Sequence, residues 1–123
     1  MKGRGLASLW VLALGMSAAA VELQELKVLH IGNNKERAAA FESFLTKHVK
    51  AVETVERSKF DPARAASFDV VLLDWQQNEP GAEKFPPTKS PLGERENWSK
   101  PTVFLGSAGL NMAVVWKLKG GSG

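Results

Sequence analysis

Apolar residues follow two alternating patterns from residue 26 onward. Residues 26–31 (LKVLHI), 68–74 (FDVVLLD) and 101–105 (PTVFL) are short, nearly continuous apolar runs. Runs of this length predict strands of a parallel sheet covered on both faces. Residues 51–56 (AVETVE) alternate apolar and charged positions, which predicts a half-exposed edge strand. Between the first two strands, residues 35 to about 50 place Ala38, Phe41, Leu45 and His48 or Val49 at helical spacing, with Arg37, Glu42 and Lys47 off that stripe. Asn33 is expected to cap this helix, with Glu36 three residues later in capping-box spacing. Asp61-Pro62 predicts the N-cap and first position of a short helix over 62–66, and Ser90-Pro91 predicts another through Asn97. A last helix is expected from about 110 to 119, with Met112, Val115 and Trp116 along one side.

Strands separated by helical segments imply βαβ units. With right-handed crossovers, the four strands give a parallel sheet of order 2-1-3-4. The predicted fold is therefore α/β, a flavodoxin-like three-layer sandwich. Such sheets usually hold five strands, so the chain is expected to be truncated before a fifth. Residues 75–100 contain Pro80, Pro86, Pro87, Pro91, Gly81 and Gly93, and read as one long Pro-rich connection. A connection of that length in a compact domain is usually functional, mobile or hiding an element.

The first 20 residues have a different character. A basic start (Lys2, Arg4) leads into the uncharged run LASLWVLALGM and then into small residues ending at Ala20. This is the layout of a secretory signal peptide, so the expectation is export to the periplasm or the extracellular space. The mature part would be residues 21–123, a single α/β domain. The apolar run is too short for the ~20 residues a bilayer crossing needs, so no stable membrane span is expected after cleavage. Removing Lys2 and Arg4 lowers the formal charge from +3 to +1. That balance offers no electrostatic footprint for nucleic acid. The sequence has no cysteine, which removes thiol nucleophiles, thiolate metal sites and disulfides. No cofactor motif is found, and oligomeric state is not indicated.

In open α/β sheets, ligands bind beyond the carboxyl ends of the strands, where the strand order reverses. That rule selects His30, Gly32, Asn33 and Asn34 after the first strand, Asp74 and Trp75 with Gln76 after the third, and Gly106 and Ser107 after the fourth. These are the candidate ligand-binding residues. No catalytic or metal-ligating residue is assigned. Ser107 lies between Gly106 and Gly109, but those glycines are three apart, whereas the nucleophile elbow G-x-S-x-G has them four apart. Activation would also need a nearby base, and the chain has only His30 and His48. Gly-rich turns before helices can hold anions on free amides. Neither Gly32–Lys35 nor Gly106–Asn111 carries a phosphate-loop motif. Trp75 and Trp98 flank the long connection. Each could stack on a sugar ring, but pinning the loop to the core is the favoured reading.

The run FDVVLLD resembles the third strand of response-regulator receiver domains, which ends in the phosphoacceptor aspartate, and Ser107-Ala108 resembles that family's Ser/Thr-Ala pair. The acidic residues that hold Mg²⁺ in receivers are replaced here by Gly32-Asn33-Asn34. The wider order is LKVLHIGNN, helix, VETVE, FDVVLLDW, Pro-rich insertion, KPTVFLGSAG. It resembles the class I glutamine amidotransferase-like superfamily, particularly its ThuA-like group. The resemblance covers roughly residues 26–119 and implies an association with carbohydrate metabolism. The superfamily's catalytic cysteine has no counterpart in the Gly106-Ser107-Ala108-Gly109 turn. The reading that follows is an exported, noncatalytic domain that binds a small polar or carbohydrate ligand at its strand ends. Two alternatives stand beside it. One is a hydrolase-type enzyme whose remaining catalytic residues lie beyond Gly123. The other is a degenerate receiver-like domain acting through protein contacts.

Overall fold

The computed structural model describes residues 23–79 and 87–118. The expected signal peptide, the Pro80, Gly81 and Pro86 part of the connection, and the tail from Lys119 onward lie outside the described residues. The elements are β1 (Lys27–Ile31), α1 (Lys35–Leu45), β2 (Ala51–Val55), β3 (Val70–Trp75), β4 (Thr102–Gly106) and α2 (Ala108–Val115), with short 3-10 turns at Arg57–Lys59, Pro62–Ser67 and Arg95–Asn97. The four strands form one all-parallel sheet of order β2-β1-β3-β4, as the pattern of runs predicts.

Each strand sends alternate side chains to opposite faces, and the register aligns them across the sheet. One face carries Leu29 and Ile31 from β1 with Val71, Leu73 and Trp75 from β3. This is the main core. It is closed by Phe60, Ala65, Phe68 and Leu92 from the connections and by Ala108 and Met112 of α2. The other face carries Val28, His30, Leu72 and Asp74, with Val103 and Leu105 in register on β4. Helix α1 crosses that face over β1 and β2, setting Phe41 on the His30 ring with centroids 5.0 Å apart.

Several local expectations are corrected. Asn34, not Asn33, caps α1, its Oδ1 accepting from Arg37 N at 2.9 Å. Asn33 Oδ1 instead accepts from the Arg57 backbone N–H at 2.9 Å and ties β1 to the turn after β2. Helix α1 stops at Leu45 rather than near Lys50. Its following residues must turn sharply so that Lys50 and Ala51 N–H can reach Leu26 O and start β2. Helix α2 begins two residues earlier than expected, at Ala108. The expected helix from Ser90 resolves into a Ser90-based turn, closed by Gly93 N–H on Ser90 O, and the separate 3-10 turn. The largest departure is β4. Its apolar run predicts a buried strand, yet Val103 and Phe104 are exposed because β4 ends the sheet.

Two of the tryptophans fix the connection to the core. Trp98 meets Phe60 edge-on at 6.3 Å and donates its Nε1–H to Thr102 Oγ1 at 2.8 Å. Trp116 is partly buried against the core and donates to Gly93 O at 3.0 Å. No helix among the described residues is long and apolar enough to cross a membrane.

Candidate functional site

Asp74 sits at the carboxyl end of β3 on the α1 face, almost fully buried. A carboxylate there needs compensating donors, and three are present. Arg37 grips it with both arms of its fork, Nε to Oδ2 at 2.7 Å and Nη2 to Oδ1 at 2.9 Å. His30, in register with Leu72 on the same face, reaches it diagonally, Nε2 to Oδ2 at 3.2 Å. Arg37 stands three residues after the cap Asn34, so the first turn of α1 places its fork above the strand ends. Burial pushes the Asp74 carboxyl up, but the Arg37 hydrogen bonds and charge, helped by His30, outweigh it and hold the group below its ordinary value. His30 moves the other way to an ordinary buried ion-pair partner. Burial, aided by the Arg37 charge, lowers its pKa against the opposing pull of Asp74.

His30 is therefore neutral, and because a carboxylate can only accept, the ring proton is assigned to Nε2. Its Nδ1 is buried with no hydrogen-bond partner among the described residues. Gly32 makes room for this arrangement. A Cβ there would lie 3.0 Å from His30 Cε1 and 3.2 Å from Asp74 O.

A second ion pair lies nearby. Arg57 Nη1 and Nη2 reach Glu79 Oε1 and Oε2 at 3.2 and 2.8 Å, with both side chains almost fully buried. The Arg57 guanidinium lies 4.1 Å above the Trp75 ring. Glu79 Oε1 also accepts from Gln76 N at 3.3 Å. A cation stacked on an aromatic face and paired with a carboxylate is stabilised twice in a low-dielectric site.

Two clefts open on either side of this pair. One, of about 440 Å³, is lined by Asn33, Asn34, Lys35, Glu36, Gln76 and Glu79. It occupies the crevice beyond β1 and β3, where the strand order reverses. Its amides are already oriented, since Asn34 Nδ2 donates to Gln76 Oε1 at 3.1 Å. The other cleft, of about 360 Å³, is lined by residues that include Arg57, Phe60, Trp75, Lys89 and Ser90.

The candidate residues thus divide. Asn33 and Asn34 line the polar cleft. His30 and Asp74 lie beneath it as a buried support joined to α1 by Arg37. Gly32 is the spacer between them. Trp75 points to the opposite face and is covered by Arg57. Gly106 and Ser107 form a separate turn against Trp75 rather than a wall beside Asn33. Ser107 N–H and Oγ–H both donate to Trp75 O, at 2.7 and 2.9 Å. The hydroxyl proton and the amide expected to face a ligand are therefore engaged within the fold. Gly106 has φ +66°, and a Cβ there would lie 2.5 Å from the same oxygen.

Arg37, Arg57 and Glu79 were not expected at the site. The helical stripe sets Arg37 aside as solvent-facing, and nothing in the local pattern marks Arg57 or Glu79. The position of Arg37 in the first turn, opposite a strand-ending aspartate, is the one available signal. Among the described residues, no group of three or more His, Asp or Glu side chains is arranged to hold a metal ion. Comparison of the chain with protein families, curated proteins and solved structures yields no match.

Proposed function

We propose that this chain is a noncatalytic α/β binding domain that takes a small polar ligand, of the carbohydrate class, in the cleft between Asn33–Glu36 and Gln76–Glu79. The observation that carries the reading is the cleft itself: amide and charged side chains gathered at the switch point of a parallel sheet. Side-chain amides present a donor and an acceptor together, which suits vicinal hydroxyl groups. Lys35 and the carboxylate of Glu36 add a donor and an acceptor, while Glu79, held by Arg57, forms the floor of the cleft. The noncatalytic part of the reading is supported by the groups that chemistry would use. Asp74 has both oxygens engaged by Arg37 and His30. The one proton of Ser107 goes to a backbone carbonyl rather than to an imidazole. Export through the N-terminal segment, and kinship with the ThuA-like group, belong to this proposal as the sequence resemblance suggests them.

The test is thermal melting of the protein with a panel of neutral monosaccharides, polyols and sugar phosphates. A ligand at 100 times its Kd adds about 2.7 kcal/mol of stability, a clear rise in Tm. Gln76→Ala and Lys35→Ala should abolish the rise without altering the unliganded fold. No rise with any member of the panel, or one unaffected by both substitutions, overturns the reading.

A further inference from the structure

Glu79 lines the polar cleft and Arg57 lines the cleft of about 360 Å³, so the ion pair they form is the partition between the two. The Arg57 side has a different character. Among the described residues its lining holds two cations, Arg57 and Lys89, and no carboxylate. Phe60, Pro62, Trp75 and Pro91 supply flat apolar walls. Side-chain amides, which dominate the polar cleft, are missing from this lining. Apolar walls with a few polar groups to fix orientation are the ordinary make-up of a small-molecule site. The volume lies near the lower end of the ~300–1,000 Å³ such sites span, which suits a small occupant.

Arg57 is built into this wall. Its backbone N–H is held by Asn33 Oδ1, its guanidinium lies 4.1 Å above the Trp75 ring, and its side chain is almost wholly buried. A guanidinium carries more N–H donors than one carboxylate engages. Glu79 takes one from Nη1 and one from Nη2. Among the described residues no other acceptor bonds the group, which leaves open the edge formed by Nε and Nη2. Arg37 uses that same edge on Asp74, Nε to Oδ2 and Nη2 to Oδ1. A buried cation with donors left over favours a further acceptor, and a carboxylate fits the fork with both oxygens. Lys89 is exposed on the same cleft and adds a second positive charge. The Ser90 hydroxyl is already engaged by Leu92 N–H at 2.9 Å.

We infer that this second cleft binds a small aromatic carboxylate. The carboxylate seats on the Nε–Nη2 edge of Arg57, and Lys89 adds attraction at longer range. The ring lies against Phe60, Pro62 and Pro91. Each half of the ligand answers a different half of the lining. An inorganic anion would satisfy the cations and leave the apolar walls uncovered, and a neutral sugar would leave the Arg57 edge open. Glu79 does not oppose the bound charge, since both its oxygens are engaged by Arg57. The site is separate from the polar cleft, and the inference stands whether or not that cleft takes a carbohydrate.

The test is an NMR titration of the isotope-labelled protein with benzoate and phenylacetate, read at the backbone amides and the Arg57 Nε–H. Saturable shifts are expected at Phe60, Lys89 and the Arg57 Nε–H, with Lys35 and Glu36 unmoved. Phenylacetamide, which keeps the ring and loses the charge, should bind about tenfold more weakly, and so should acetate, which keeps the charge and loses the ring. Arg57→Lys keeps the charge but has no fork, and should weaken phenylacetate by about tenfold. Arg57 also holds Glu79, so a second variant guards against a loss of folding. Lys89→Glu, at an exposed position, sets a carboxylate on the cleft and should weaken binding several-fold with unchanged circular dichroism. No saturable shift at ~10 mM of either probe, far weaker than a built site gives, overturns the inference. Equal binding of phenylacetamide overturns it, as does binding that Lys89→Glu and a folded Arg57→Lys both leave unchanged. Shifts confined to Lys35 and Glu36 also overturn it, because they place the probe in the polar cleft.

Discussion

Replacing Arg37 with alanine should leave Asp74 as a buried carboxylate with His30 as its remaining donor. Two charge-assisted hydrogen bonds of 2.7 and 2.9 Å are lost. Bonds to charged groups contribute about 1.5–3 kcal/mol each, which would suggest a large effect. Arg37 is 38% exposed, however, so water screens its side of the pair and solvates its charge outside the fold. The expected cost at pH 7 is therefore about 2 kcal/mol, or a fall in Tm of roughly 8–16 °C for a domain of this size.

The pH dependence carries more information than the size. The Asp74 carboxyl is held below its ordinary value of 3.8, so its contribution is complete above that pH and fades as pH falls through the folded-state value. Without Arg37 that value rises, and the variant loses less on acidification. The Arg37 charge also lowers the His30 pKa. Its removal lets the ring take up a proton beside Asp74, which again favours the variant in acid. The His30 effect narrows the gap between the parent and Arg37→Ala as pH falls from 7 through 6.5, and the Asp74 effect narrows it further as pH falls below 3.8. Urea unfolding followed by circular dichroism at several pH values reads this directly. A gap that is constant or widens, or a loss below ~0.5 kcal/mol at pH 7, refutes the account of the cluster.

Two further outcomes follow from the same geometry. His30 is neutral in the fold, with its pKa lowered from 6.5, whereas the unfolded chain takes up that proton below 6.5. Stability should therefore fall as pH drops from 7 to 5, and His30→Gln, which keeps a donor near Asp74, should flatten that slope in melts across the range. The two glycines of the GSAG turn should respond with opposite signs. Gly106→Ala forces a Cβ to 2.5 Å from Trp75 O at φ +66° and should cost about 2–4 kcal/mol. Gly109→Ala lies inside α2, where the new Cβ meets Phe104 Cβ at an ordinary 3.7 Å, and should stabilise by about 0.5–1 kcal/mol. Equal effects in denaturant melts would contradict the turn geometry.

Strand order was legible in the sequence because it depends on quantities that sequence carries directly. Runs such as VVLL mark strands, helical spacing marks α1, and chirality leaves few ways to connect them. Burial of a strand is less legible, because it depends on neighbours rather than on the strand's own residues. PTVFL has the composition of a central strand, and its position at the end of the sheet leaves Val103 and Phe104 open. The same limit explains the exchange of roles between Asn33 and Asn34. Either amide satisfies the capping pattern, and the choice follows from Arg57 N–H, 24 residues away, claiming the Asn33 oxygen.

The candidate site shows that limit most clearly. Reading the strand ends brought His30, Asn34 and Asp74 to one place, since the sheet rule needs only strand boundaries and order. It gave no view of what each side chain would face. Asp74 sat next to Trp75 in the reading as though both looked into one crevice, yet adjacent strand residues point to opposite faces. One sign therefore separates them: Asp74 turns to α1 and Arg37, Trp75 to the core and Arg57. The two arginines complete the site on both faces through long side chains whose reach no periodicity encodes. The consequence for function is specific. The groups that first suggest chemistry, Asp74 and Ser107, are the ones the fold uses to hold itself together. Asn34 and Gln76, which no catalytic motif would single out, also bond within the fold, but unlike Asp74 and Ser107 they do so on the wall of an open cleft.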